Sequence, residues 1–213
     1  MDIEQQNDES KTDVVKLNPW TKIMFKPRTT MRYIINTNPP AGKVLFLICL
    51  VIFVNLFNNA IQGILLNNFS IAMFLPFILF SAIGIPIVYY LVPIFFKWIG
   101  GILGGKGTIK EIRYVVGYTS IPSIYSSLMI MIFKIVEYFS LGISTISFVI
   151  LILPLTILTF SISIWTFIIS LKCLAEAHKF SAWKALGTLI IGWIIIFIPL
   201  GIITFIVYFI LLL

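Results

Sequence analysis

Long apolar stretches, separated by short polar segments, fill most of the chain after residue 43. A helix needs about twenty residues to cross the hydrocarbon core of a bilayer. Stretches of that length lie near residues 44–66, 70–97, 114–136, 143–171 and 187–211. The pattern therefore predicts an all-α fold, a polytopic membrane helix bundle of five transmembrane helices.

The second stretch carries Pro76, Pro86 and Pro93. Proline removes a backbone donor and clashes with the preceding turn, so we expect this span to kink or break. Carbonyl groups freed at membrane depth must then bond to neighbouring helices.

Polar residues dominate the start of the chain. Residues 1–16 are acidic and poor in aromatic residues, which predicts a disordered tail. Residues 17–40 combine helically spaced apolar side chains with a basic face, which predicts a short amphipathic helix at the membrane surface. Residues 41–213 form the predicted membrane domain. The predicted membrane-surface residues are Trp20, Lys22, Lys26, Arg28 and Arg32.

Composition agrees with a lipid environment. Of the 213 residues, 60% are hydrophobic and 11% are charged, and the mean hydropathy is +1.07. Soluble domains are closer to half apolar and a quarter charged. The net charge of +7 does not form a basic stripe with interleaved aromatic residues, so we expect no nucleic-acid binding.

Basic residues are distributed unequally between the predicted loops. If the N-terminus is inside, residues 1–43, 97–113 and 172–184 are inner segments and carry 7, 4 and 3 of the 15 basic residues. Because Lys and Arg concentrate in cytoplasmic loops, this predicts a cytoplasmic N-terminus and an outer C-terminus. The abundance of Lys, Ile and Asn points to an AT-rich bacterial genome, and hence to the plasma membrane of a bacterial cell.

Few residues could carry catalysis. No Asp follows the acidic tail, so a Ser–His–Asp set cannot form, and His178 has no second imidazole with which to hold a metal. No carboxylate, lysine or histidine lies in the middle of a span to mark a proton route. We therefore predict no enzyme activity, no cofactor and no metal.

A glycine-rich segment at residues 100–108 resembles a phosphate-binding loop and includes Gly104, Gly105, Lys106 and Gly107. A phosphate-binding loop must follow a buried strand and open a helix, whereas this segment follows a transmembrane span. We interpret it as a tight cytoplasmic turn whose glycines allow close packing.

Amide side chains share one helical face of the first span, at Asn55, Asn58, Asn59 and Gln62. An amide that faces lipid loses its hydrogen bonds at a cost of several kcal/mol. The stripe must therefore meet other helices, water or a partner. Interhelical hydrogen bonding is the favoured interpretation, and a hydrated cavity or a partner groove is the alternative.

Hydroxyl side chains recur along the fourth span at Thr156, Thr159, Ser163, Thr166 and Ser170. Small hydroxyl residues let helices approach closely and can bond to their own helix. We favour a packing or interaction seam over a solute path.

Three groups of residues resemble the signatures of the Yip domain family, the Ypt/Rab-interacting membrane proteins. The entry segment has Asn18-Pro19-Trp20, Pro27-Arg28 and Thr29-Thr30. The third span and the loop before it have Gly104-Gly105-Lys106-Gly107-Thr108, Tyr114, Gly117-Tyr118 and Ile121-Pro122. The link to the last span has Trp165, Ala175, Ser181-Ala182 and Lys184-Ala185-Leu186. The resemblance covers residues 18–213.

The resemblance implies a five-helix bundle with a cytoplasmic N-terminus and no catalytic residues. Eukaryotic relatives act through partners that include small GTPases, a role not carried over to a bacterial chain. Some bacterial relatives are linked to ABC-type exporters as accessory subunits. We therefore expect an interaction protein in the lipid bilayer that binds an exporter permease and ATPase, or forms a homo-oligomer. The alternative is a facilitator or channel for a small solute or lipid.

Overall fold

A computed structural model describes residues 17–65, 70–139 and 145–211. The predicted disordered tail at residues 1–16 lies outside the described residues. Within those ranges the chain is helical and has no strand. The helices are α1 (Pro19–Phe25), α2 (Pro27–Thr37), α3 (Ala41–Leu65), α4 (Ile71–Pro86), α5 (Val92–Ile102), α6 (Ile109–Tyr118), α7 (Ser120–Phe139), α8 (Thr145–His178) and α9 (Ala182–Leu211).

Long apolar helical segments confirm the all-α polytopic membrane fold. The segments of the described chain that are long and apolar enough to cross a bilayer are Ala41–Leu65, Phe74–Ile102, Ile109–Phe139 and Val149–His178. A shorter apolar segment, Ala182–Ile195, opens α9. The side chains that face outward along these helices are largely Phe, Leu and Ile, as contact with lipid requires.

The amphipathic entry segment is helical as predicted, but proline divides it into two helices. Asn18 caps α1 by accepting a hydrogen bond from the backbone N–H of Trp20 at 3.0 Å, and Pro19 occupies the first turn. Lys26 leaves the helical region because Pro27 follows it. The segment ends at Asn38, whose φ of 51° is left-handed, and two prolines follow.

The second span departs from regular α-helix after one of its prolines. A π-helical turn, Ile87–Leu91, follows Pro86 directly and joins α4 to α5, and Pro93 lies in the first turn of α5. The helix stays continuous because the chain changes its hydrogen-bond register here instead of breaking. The span therefore departs from regular α-helix after Pro86, whereas Pro76 lies within α4.

The tightly packed core lies at one end of the bundle. We call this the basic end: α1, α2, the start of α3, the loop after α5, α6, the end of α8 and the start of α9. Its fully buried side chains include Ile23 of α1, Met31 of α2, Ile48 of α3, Ile112 of α6 and Leu174 of α8. Among the described residues, the other half of the spans has few side chains buried within the chain, so most of the close packing lies at the basic end.

Several helices extend beyond the predicted spans into the basic end. The third span was predicted from residue 114, but α6 begins at Ile109, where Thr108 and Glu111 form a capping box. The fourth was predicted to end at residue 171, but α8 continues to His178. Hydropathy marks the apolar length of a helix, whereas these ends are stabilised by packing against the entry segment.

The crossing of α3 and α6 depends on one glycine. A methyl group added at Gly117 would lie 3.2 Å from the Cα atom of Val44 and still closer to its Cγ1 atom. Both residues are buried. Glycine therefore allows two backbones at the basic end to come closer than any side chain would permit.

Candidate functional site

The glycine-rich loop encloses the ring of His178. The ring is fully buried, and a methyl group added at Gly100 or Gly105 would overlap it. One added at Gly107 would lie 3.1 Å from the Nδ1 atom. Gly100, Gly105 and Gly107 therefore pack against an imidazole, and a methyl group at Gly107 would also lie 2.9 Å from the backbone carbonyl of Ala177 on α8.

Backbone hydrogen bonds hold this loop in place. The N–H of Lys106 donates to the carbonyl of His178 at 3.0 Å, and the N–H of Gly105 donates to the carbonyl of Gly100 at 2.8 Å. Gly104 adopts a φ of +83°, a left-handed conformation that disfavours other residues. The Lys106 side chain is exposed. The loop is thus a structural joint between α5, α6 and α8, as its interpretation as a tight turn predicts.

The sequence does not predict the position of His178. It shows only that no second histidine is available for a metal site, whereas the structure shows that the ring fills the space that the glycines leave, 4.9 Å from the ring of Phe180. Neither ring nitrogen has a hydrogen-bond partner in the part of the chain that the structure describes. The glycine spacing indicated a close contact but could not show which side chain makes it.

The predicted membrane-surface residues lie on α1, α2 and the residue between them. Lys22, Lys26, Arg28 and Arg32 are exposed and Trp20 is half-buried. The opposite side of the same segment is buried against the bundle: the indole N–H of Trp165 donates to the carbonyl of Met24 at 3.1 Å. The basic side chains therefore project from a segment that is docked on its own protein.

One of these cations is already paired. Arg32 Nε donates to Glu176 Oε1 at 2.7 Å, which links α2 to α8. This hydrogen bond and the negative charge of Glu176 raise the pKa of Arg32. Arg28, Lys22 and Lys26 make no ion pair within the described ranges.

The amide stripe of α3 faces α7. Asn58 is buried and donates to the carbonyl of Ser127 at 2.9 Å, and Asn55 accepts from the hydroxyl of Ser127 at 3.1 Å. Gln62 accepts from Lys134 at 2.7 Å. Asn59 is exposed. These contacts support the interhelical interpretation of the stripe over a hydrated cavity.

Hydroxyls along α8 bond mainly to their own helix. Thr156, Thr159, Ser163 and Ser170 each donate to the carbonyl four residues earlier, at 2.8 to 3.0 Å. Thr166 contacts the hydroxyl of Ser126 on α7 at 3.0 Å. Thr156 and Ser163 are exposed, whereas the other three are half-buried. One edge of the predicted seam thus meets α7, and the other edge faces outward.

Pro122, predicted as part of the third-span signature, lies buried in the first turn of α7. Thr119 separates α6 from α7, so the proline falls where the span restarts and needs no backbone donor. Its carbonyl accepts from the hydroxyl of Ser126 at 3.1 Å.

These features describe a packed membrane bundle whose motif residues are mostly structural. In the described residues, no group of three or more His, Cys, Asp or Glu side chains is arranged to hold a metal ion. The Yip1 domain model matches residues 21–210 of the chain. No curated protein and no solved structure matches it.

Proposed function

The chain belongs to the Yip1 domain family, and from this premise we propose that it is a non-enzymatic interaction protein that binds another integral membrane protein through helix faces. The partner class we propose is the permease and ATPase of an ABC-type exporter. The setting we propose is a bacterial plasma membrane. We place the basic end in the cytoplasm, because Lys and Arg residues concentrate in the cytoplasmic segments of membrane proteins.

The outward side of α8 is the feature that best supports this proposal. No residue in its most apolar stretch is buried within the bundle. Thr156 and Ser163 on this side are small, and their hydroxyls are satisfied by their own helix. A second helix could therefore pack closely here without leaving a polar group unpaired.

The helices α1 and α2 offer a smaller apolar surface to a partner than the spans do. Ile23, Met31 and Ile34 are buried in the basic end, whereas Phe25 is exposed. We therefore expect apolar contact with a partner mainly along the spans, where helix contacts each contribute roughly 0.5–2 kcal/mol.

We expect Ser163→Leu and Thr159→Leu to reduce recovery of the partner complex about fivefold, because a bulky side chain prevents the close approach worth about 1 kcal/mol. The measurement is affinity purification from native membranes in a mild detergent, followed by mass spectrometry of the bound proteins. Ser161→Leu is the matched control, since Ser161 is an exposed hydroxyl residue on the same helix but outside the seam.

Two results would overturn the proposal. Full retention of the partner in both seam variants would remove α8 as the docking face. Recovery of a homo-oligomer without a permease or ATPase would replace the exporter with a second copy of this chain.

A facilitator for a small solute is the alternative function, and the amide stripe of α3 is the feature that favours it. We expect purified protein in liposomes to give no solute flux above empty liposomes, because the stripe is engaged by α7. Flux that is lost in Asn58→Leu/Asn59→Leu would establish the facilitator and refute the packing interpretation.

A further inference from the structure

A cavity of about 440 Å³ lies between the start of α3, the π-helical turn and the start of α6. Its polar lining includes Asn38, Lys110, Arg113 and Tyr114. None of these residues belongs to the seams, the amide stripe or the predicted membrane-surface set. The cavity lies at the basic end but on a different side from the Arg32–Glu176 ion pair.

The charges in this cavity have one sign. Lys110 and Arg113 line it, and no Asp or Glu does. Lys110 is exposed and has no ion-pair partner among the described residues. Two cations without a carboxylate favour an anionic ligand.

Arg113 is held in a fixed position. Its Nε donates to the carbonyl of Tyr89 at 3.2 Å, and its guanidinium carbon lies 4.6 Å from the centre of the Tyr89 ring and 5.6 Å from that of Tyr90. Cation–π contact and one hydrogen bond orient the group while its terminal N–H groups have no acceptor in the described part of the chain. A preoriented guanidinium matches the paired oxygens of a phosphate.

Two uncharged polar residues, Asn38 and Tyr114, also line the cavity. The Tyr114 hydroxyl donates toward the Asn38 side-chain oxygen at 2.7 Å and the Pro39 carbonyl at 3.1 Å. Because the amide oxygen of Asn38 is engaged in this way, its NH₂ group remains as a donor. Asn38 is therefore a third donor at the cavity wall.

The neighbouring surface points to a lipid as the source of the phosphate. Tyr90 and Leu91 follow Tyr89 in the π-helical turn and are 55% and 57% exposed, within the apolar segment Phe74–Ile102. The ring of Tyr89, where a quaternary ammonium could bind, is already covered by Arg113. These features favour an anionic headgroup over a zwitterionic one.

We propose that this cavity binds the phosphate group of an anionic membrane lipid, with Lys110, Arg113 and Asn38 as the donors. The acyl chains would lie along the outward surface of the π-helical turn. This site is distinct from general attraction between the basic face of α1–α2 and the bilayer, because it selects one headgroup at one position.

A second cavity of the basic end provides a matched control. It has a volume of about 580 Å³ and contains Arg28 and Lys179, but also two carboxylates. Glu176 pairs with Arg32, and Glu111 caps α6. Removing Lys179 lowers the net charge by the same amount as removing Lys110, without changing a residue of the proposed site or of the predicted membrane-surface set.

The test counts the lipids that remain bound to the full chain in detergent, by native mass spectrometry, during titration with phosphatidylglycerol or phosphatidylcholine. We expect the wild type to retain one phosphatidylglycerol in preference to phosphatidylcholine. Lys110→Gln should weaken that binding about fivefold, since a basic residue near anionic lipid contributes about 1 kcal/mol. Lys179→Gln, at an exposed residue of the second cavity that is outside the predicted membrane-surface set, should leave it unchanged.

Arg113→Gln should weaken binding further, and a thermal melt of each variant shows whether it remains folded. Because Lys110 is exposed, Lys110→Gln keeps the proposal falsifiable even if Arg113→Gln does not fold. Equal binding of the two lipids, or equal effects of Lys110→Gln and Lys179→Gln, would overturn the proposed site. Displacement of phosphatidylglycerol by millimolar inorganic phosphate would overturn the lipid assignment.

Discussion

Gly100→Ala is expected to destabilise the protein by about 1–3 kcal/mol, because the added methyl group overlaps the buried ring of His178 and a packed core does not absorb extra volume without strain. Gly101→Ala is the matched control. It changes the next residue of the same helix, where a methyl group meets nothing within 4 Å, and alanine favours a helix over glycine by up to about 1 kcal/mol. The two variants should therefore shift stability in opposite directions.

The measurement is the unfolding midpoint of the purified protein in detergent, followed by helical circular dichroism. His178→Ala supplies the decisive background, since it removes the atoms that the new methyl group would meet. In the His178→Ala background, Gly100→Ala should lower the free energy of unfolding by less than about 1 kcal/mol. A double-mutant cycle measures this coupling between the two residues. An equal loss of stability with and without the imidazole would show that Gly100 is required for a contact other than the one with the His178 ring.

Gly117→Ala is expected to destabilise the protein by about 1–3 kcal/mol, because its methyl group would meet the backbone of α3 at Val44. A side chain can rotate away from a collision, but a backbone atom can move only with its helix. We therefore expect α3 and α6 to separate and the core of the basic end to loosen.

Titration with a denaturing detergent measures the destabilisation by Gly117→Ala as a lower unfolding midpoint. Gly42→Ala is the matched control, because it lies two residues before Val44 on the same helix and has open space around it. Val44→Ala should recover only part of the stability, since it removes the Cγ1 atom but leaves the backbone of α3 against the new methyl group. An unfolding midpoint for Gly117→Ala equal to that for Gly42→Ala would contradict the close crossing.

Apolar length and proline position made much of the fold predictable. The prolines of the second span predicted an irregular helix, and the structure has a π-helical turn after Pro86. The entry segment was predicted as one short helix, and its division at Pro27 was not predicted. The inner extensions of α6 and α8 were not predictable from hydropathy. Their residues include Lys110, Glu111 and Glu176. These charged side chains are typical of loops, and only the structure shows that Glu111 forms a capping box and that Glu176 forms an ion pair.

The candidate sites were predictable as patterns but not as contacts. Helical spacing correctly placed Asn55 and Asn58 on one face, yet only the structure shows that both contact Ser127. The single histidine and the glycine-rich loop are separated by some seventy residues, so no local pattern could connect His178 with Gly105. Arg113 was overlooked because its partners, two tyrosines, lie on another helix.

The docking of the entry segment has a consequence for how the protein is made. Its contacts with α8 join residues far apart in the chain: Met24 with Trp165 across 141 residues, and Arg32 with Glu176 across 144. At about 5–20 residues per second, the ribosome completes α1 and α2 roughly 7–30 s before their partners on α8 emerge. During that interval the bilayer surface is the nearest apolar phase for Met31 and Ile34. The amphipathic pattern of α2 therefore suits two successive environments, first the lipid surface that holds the nascent chain and then the core that forms when synthesis reaches the fourth long helix.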